Sequence, residues 1–73
     1  MMNDDLSALA NRAAIQYANE PGYLGCTVRS KRPPILAHEF TSEVAADNFR
    51  DKLVMQGSPF RFAIEGKTLL EHR

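Results

Sequence analysis

The side chains able to make or break bonds are few: one cysteine, Cys26, and two histidines, His38 and His72. A Ser or Cys nucleophile needs a base oriented by a third group, so His38 would have to serve Cys26 or a serine across the fold. Cys26 and His38 fall on neighbouring predicted strands and can both face inward, which leaves a Cys–His pair geometrically open. A thiolate, however, needs an electropositive and accessible setting; a cysteine among apolar neighbours is inert packing. A His on an apolar strand face is more often a satisfied core residue.

Metal and phosphate chemistry find less. His38 and Glu39 are adjacent, so on a strand they point to opposite faces and cannot chelate one ion. Ser42 stands where a zinc-protease pattern starting at His38 needs its second His. Gly66-Lys67-Thr68 matches the end of a phosphate-binding loop, but Arg61 occupies the position of the required first Gly, and a strand rather than a helix follows. We therefore expect no catalytic residue, no cofactor and no metal site, and read the chain as not an enzyme.

What remains is charge presented outward. Arg29, Lys31 and Arg32 put three positive charges within four residues beside Pro33 and Pro34, whose fixed φ stiffens the connection and lowers the entropy lost on docking. Glu43, Asp47 and Asp51 recur every four residues, so on a helix they form an acidic ridge only partly offset by Arg50. Both are candidate partner contacts, and both also read as solvated surface. Sequence-specific nucleic-acid readout would need a helix with a basic stripe, and neither predicted helix has one. About three phosphate contacts from the basic cluster would give a shallow salt slope of roughly −2.7. Tyr23, Thr27 and Arg29 are expected on the outer sheet face, where one aromatic falls short of an RNA-binding sheet.

These residues are positioned by elements legible from periodicity. Leu6, Leu9, Ala13 and Tyr17 recur at three- and four-residue steps, predicting a helix over 4–18, capped by Asn3, Asp4 or Asp5 and stopped at Asn19-Glu20-Pro21-Gly22. Its opposite side carries Ala8 and Ile15 with Ala18 beside them, an apolar strip that points to homodimerisation or to a hydrophobic seat for a partner. Alternation over 23–29 predicts a strand with Leu24, Cys26 and Val28 on one side and Tyr23, Thr27 and Arg29 on the other. A second strand over 35–40 puts Leu36, His38 and Phe40 inward and Ile35, Ala37 and Glu39 outward.

Thr41 or Ser42 caps a second helix over 42–56 with Ala45, Phe49 and Leu53 as its inner stripe, ended by Gly57 and Pro59. Phe60, Phe62 and Ile64 alternate with Arg61, Ala63 and Glu65 in a third strand over 60–65. Residues 67–71 form either a fourth strand, reached through a turn at Gly66, or a short tail; the strand is preferred. The order is α-β-β-α-β(-β): an α+β fold with a small antiparallel sheet of three to four strands and both helices packed on one face.

Length and composition agree. The 73 residues, 44% hydrophobic and 25% charged, carry 9 basic and 9 acidic side chains, so there is room for one domain (1–73) and no general attraction to nucleic acid. A chain this short buries only about 60–65% of its unfolded surface, which leaves little space for a deep cavity. A lone cysteine allows no internal disulfide, no apolar run is long enough to cross a membrane, and the Met1-Met2-Asn3-Asp4-Asp5 start is acidic; a cytoplasmic location is expected. In size and architecture the chain is similar to small phage- or mobile-element-encoded inhibitors such as anti-CRISPR proteins, a likeness carried by no motif and by no functional residue. The expected role is a non-catalytic protein-interaction module, monomeric or homodimeric, that blocks or modulates another protein or ribonucleoprotein complex. The alternative is a small nucleic-acid-binding accessory protein using the basic hairpin tip.

Overall fold

Two helices cover one face of a four-stranded antiparallel sheet in the computed structural model, which describes residues 5–73. The elements are α1 (Asp5–Gln16), β1 (Tyr23–Lys31), β2 (Pro34–Phe40), α2 (Glu43–Met55), β3 (Arg61–Glu65) and β4 (Thr68–His72). The strand order is β1-β2-β4-β3, so the segment left open between strand and tail becomes a central strand. It carries three consecutive buried residues, Leu69, Leu70 and Glu71. The cap expected of Asn3, Asp4 or Asp5 lies outside the described residues and side chains.

Helix α1 buries Ala10 and Ala13, and Tyr17 just beyond its end packs against the core. The chain then turns through Glu20-Pro21-Gly22. Gly22 has φ +77°, and a Cβ there would lie 2.7 Å from Thr41 Oγ1 and 2.9 Å from Ala45 Cβ. Only a residue without a side chain lets this turn seat against the start of α2, and the Gly22 carbonyl accepts from the Thr41 amide at 2.9 Å.

Helix α2 is capped by Ser42, whose hydroxyl accepts from the Ala45 amide at 3.1 Å. It closes with the Gly57 and Ser58 amides returning to the Val54 and Leu53 carbonyls, the double bond of a glycine C-terminal cap. Its buried stripe is Ala46, Phe49 and Leu53. Ala45, expected on that stripe, is half-buried one step round the helix, against the turn at Gly22.

The largest departure from the sequence reading lies in β1. Tyr23 pairs with Phe40 and Gly25 pairs with Glu39, so Leu24 is an extra, bulged residue. Gly25 takes φ +147°, a backbone conformation open to glycine. The bulge shifts the two-residue alternation by one position. Tyr23 turns onto the helix-facing side with Cys26 and Val28, while Leu24, expected inside, is 65% exposed. A second irregularity between Val28 and Ser30 makes Arg29 the extra residue there.

In β2 the expected alternation holds: Leu36, His38 and Phe40 face the helices. The core joins Phe40, Ala46, Phe49, Leu53 and Leu69, with Tyr17, Tyr23, Phe62 and Ile64 packed against it. Burying side chains such as Leu36, Phe40 and Leu69 contributes about 1.5–3 kcal/mol each. The Phe49 ring centroid lies 4.8 Å from Tyr17, 5.3 Å from Phe40 and 5.8 Å from His38, so one ring ties together both helices and β2.

Candidate functional site

Polar side chains converge at one place, inside the core. On β2, His38 is 0% exposed, and its Nδ1 lies 2.9 Å from the Tyr23 hydroxyl brought inward by the β1 bulge. Its Nε2 lies 3.1 Å from Glu71 Oε1 on β4, a carboxylate only 2% exposed. Arg73 donates to the same oxygen at 3.1 Å, stacks its guanidinium 4.6 Å over the Phe60 ring, and gives its amide to the Pro34 carbonyl. The result is a chain Tyr23–His38–Glu71–Arg73 that runs from the first strand to the last residue.

The electrostatics follow from this geometry. Burial alone would raise the Glu71 pKa, but hydrogen bonds from His38 and Arg73 and the Arg73 charge outweigh it and hold the carboxyl below its ordinary value. With Glu71 ionised, His38 Nε2 is the donor to it and Nδ1 is left to the Tyr23 hydroxyl. Burial, followed by the neighbouring Cys26 thiol, pushes the Tyr23 pKa well upward. Cys26 is raised from 9.0 to about 11, by burial first and then by the Glu71 charge. Its sulfur sits 3.9 Å from the Thr27 carbonyl.

A carboxylate, an imidazole and a hydroxyl in sequence have the order of a general-base relay. Here, though, the hydroxyl terminus is held protonated, and both imidazole nitrogens are committed within the core. A depression of about 80 Å³, lined by Glu20, Pro21, Ala45, Asn48, Phe49 and Lys52, reaches the Phe49 ring, which packs on His38, but has neither His38 nor Glu71 in its lining. Lys52 bridges its mouth to Glu20 at 2.6 Å. Cys26 and His38 are direct cross-strand partners, as the inward orientation of both suggested, but His38 is turned to Tyr23 and Glu71. Among the described residues no group of three His, Cys, Asp or Glu side chains could hold a metal ion.

The surface candidates separate into spent and unspent charges. Arg29 reaches from β1, one edge of the sheet, to Glu65 on β3, the other edge, at 3.2 Å. In register, a line between them passes over Ala37 and Leu70, which accounts for their burial on the face away from the helices. Arg29 is therefore not part of the hairpin tip. Lys31 and Arg32 are: both are exposed at the two-residue turn between Lys31 and Pro34, with no ion pair to any described residue.

On α2, Arg50 binds Asp47 at 2.6 Å and Asp51 at 3.0 Å, so one positive charge is shared by two of the three carboxylates expected to form the ridge, and exposed Glu43 has no ion pair to any described residue. The strip on α1 is exposed at Ala8, Ile15 and Ala18, with Ile15 at 78%, but exposed Asn11 and Arg12 lie between Ala8 and Ile15. Tyr23, expected beside Thr27 and Arg29 on the outer face, is removed from it, which leaves His72 as the one ring on the strands of that face, still short of an RNA-binding sheet.

Sequence reasoning missed Tyr23, Glu71 and Arg73. For Glu71 a signal existed: it shares strand parity with Leu69, so any strand that buries Leu69 buries Glu71. No protein-family model, curated protein or solved structure matches the chain, and no described helix is long and apolar enough to cross a membrane.

Proposed function

We propose that the chain is a non-catalytic protein-interaction module that docks its basic hairpin tip on an acidic surface of a larger assembly, blocking or modulating it. The observation that carries this reading is the contrast between the tip and the charged candidates Arg29, Asp47 and Asp51. Lys31 and Arg32 stand exposed, without an ion pair to any described residue, on a turn stiffened by Pro33 and Pro34, whereas Arg29, Asp47 and Asp51 are ion-paired within the molecule. A preformed tip loses little entropy on binding, and two cations with no ion pair to a described residue give up none on docking. In size and surface logic this suits an inhibitor acting by occupancy, of the anti-CRISPR-like kind carried by phages and mobile elements.

The test compares the wild type with the double variant Lys31→Glu/Arg32→Glu, immobilised and exposed to lysate of the source cell or of its phage's host, with bound proteins identified. The variant is expected to keep the wild-type melting temperature and lose capture. Equal capture by both retires the hairpin. Tight, salt-steep binding of free DNA or RNA in gel-shift titrations would replace the reading with nucleic-acid binding.

A further inference from the structure

The two edges of the sheet differ. Edge strand β1 is bulged twice and ends at Lys31, features that discourage strand addition. Edge strand β3, Arg61-Phe62-Ala63-Ile64-Glu65, is regular, without bulge, proline or lysine. Its turn to β4 has two residues, Gly66 and Lys67, so Glu65 and Thr68 form the last bonded pair of that ladder. Hydrogen bonding in an antiparallel ladder alternates, so Arg61, Ala63 and Glu65 direct their amides and carbonyls to β4, and those of Phe62 and Ile64 point away from the sheet. The far side of β4 obeys the same alternation: the Lys67 carbonyl accepts from the Phe40 amide, and the Arg73 amide donates to the Pro34 carbonyl.

We infer that β3 is a self-association edge, on which a second copy of this chain adds its own β3 antiparallel about Ala63. The sequence of the strand is complementary to itself in that register. Phe62 faces Ile64 of the second copy as a bonded pair, so the outward groups of the two strands make four backbone hydrogen bonds. Ala63 meets Ala63, and their small side chains let the strands approach. Arg61 and Glu65, both exposed on the outer face, meet Glu65 and Arg61 of the second copy as close, non-bonded pairs. Glu65 has an oxygen to spare, since Arg29 holds only Oε1. Displacing the strand by one residue would send each side chain opposite a neighbour from the wrong face, so this register is the one the charges select. A five-residue strand from each copy makes a small contact, which places the dimer among weak, reversible assemblies.

The experiment uses charge reversal and mixing. Sedimentation over roughly 10 µM to 1 mM, the span of weak association, should show the wild type passing from monomer to dimer. Arg61→Glu alone and Glu65→Arg alone each juxtapose like charges twice across the two-fold axis and should weaken self-association about tenfold or more. Their equimolar mixture restores opposite charges at both sites, so it should form a heterodimer at least as tight as the wild-type dimer. Circular dichroism on each variant confirms the fold. Amide exchange on the wild type should show Phe62 and Ile64 becoming protected as concentration rises. A wild type that stays monomeric at every concentration overturns the inference. So does a dimer that both single variants leave intact, a mixture that fails to associate, or a dimer abolished by Ile15→Glu with the Phe62 and Ile64 amides still exchanging fast. Protection of those amides only on addition of a foreign extended peptide overturns it in favour of another protein's strand.

Discussion

Each face of the sheet carries a side-chain contact to a carboxylate that joins distant parts of the chain, and the surroundings decide what each is worth. On the helix-facing side, His38 and Glu71 sit among Tyr17, Tyr23 and Phe49 with essentially no contact with solvent. On the outer side, Arg29 and Glu65 span the sheet at a nearly equal distance, yet are 45% and 57% exposed. Taking a carboxylate out of water is costly, and Glu71 is held there because His38 and Arg73 both bond it, so losing one partner strands buried polar atoms; among the described residues only Arg73 Nε is left buried without a partner. The outer pair can exchange its contacts for water at little cost. Polar groups concentrated inside a small fold need not mark a reactive centre. They can instead specify one arrangement of strands, here by tying β1, β2 and β4 to the last residue.

The comparison breaks most readily at Phe49, which backs the inner pair. Phe49→Ala should lose about 3–5 kcal/mol, comparable with the whole stability of a small domain, and urea titration should show it largely unfolded. A loss under about 1 kcal/mol would show that the aromatic nest does not support the pair.

His38→Leu leaves Tyr23 and half of Glu71 unpartnered, with an expected loss of about 3 kcal/mol. Adding Glu71→Leu should recover part of it, because removing both partners costs less than removing one. The same pair predicts acid sensitivity. Glu71 has a folded-state pKa below its unfolded value, so its contribution is complete above the ordinary carboxylate range and disappears as pH falls through the lower folded value. A Glu71→Gln protein should show a shallower stability loss on acidification.

Cys26 reports the inner face kinetically. With its pKa raised to about 11, iodoacetamide labelling at pH 8 should run about 100-fold slower in the folded protein than in denaturant. Its proton is held more tightly in the folded state, so this group costs stability as pH rises above 9.0 toward 11. Equal labelling rates would mean that the inner face is open to solvent. The smallest effect belongs to the outer face: Arg29→Ala should cost under about 1 kcal/mol, less still in high salt. A larger loss would erase the distinction between the two faces.

Much of the architecture was legible in local pattern. The Ser42 cap, the Gly57 stop, and the inward set Leu36, His38 and Phe40 all follow from spacings within a few residues, and the element order follows with them. The polar chain was half legible: His38 was placed inside, but its partners come from positions 15 and 33 residues away. The Tyr23 partner was hidden by the bulge, since alternation counted through Gly25 puts Tyr23 on the wrong face.

By itself the sequence determined both helices and the first three strands and their order, because helical and strand periods and capping residues act over one or two turns of chain, and it left residues 67–71 between strand and tail. Only the tertiary structure decided that β4 lies at the centre of the sheet, that Arg29 is bound to Glu65 rather than free at the hairpin, and that Asp47 and Asp51 share Arg50. Strand order, bulges and charge pairing are settled by which neighbours meet in space and by the water they exclude, and neither quantity is encoded in spacing along the chain.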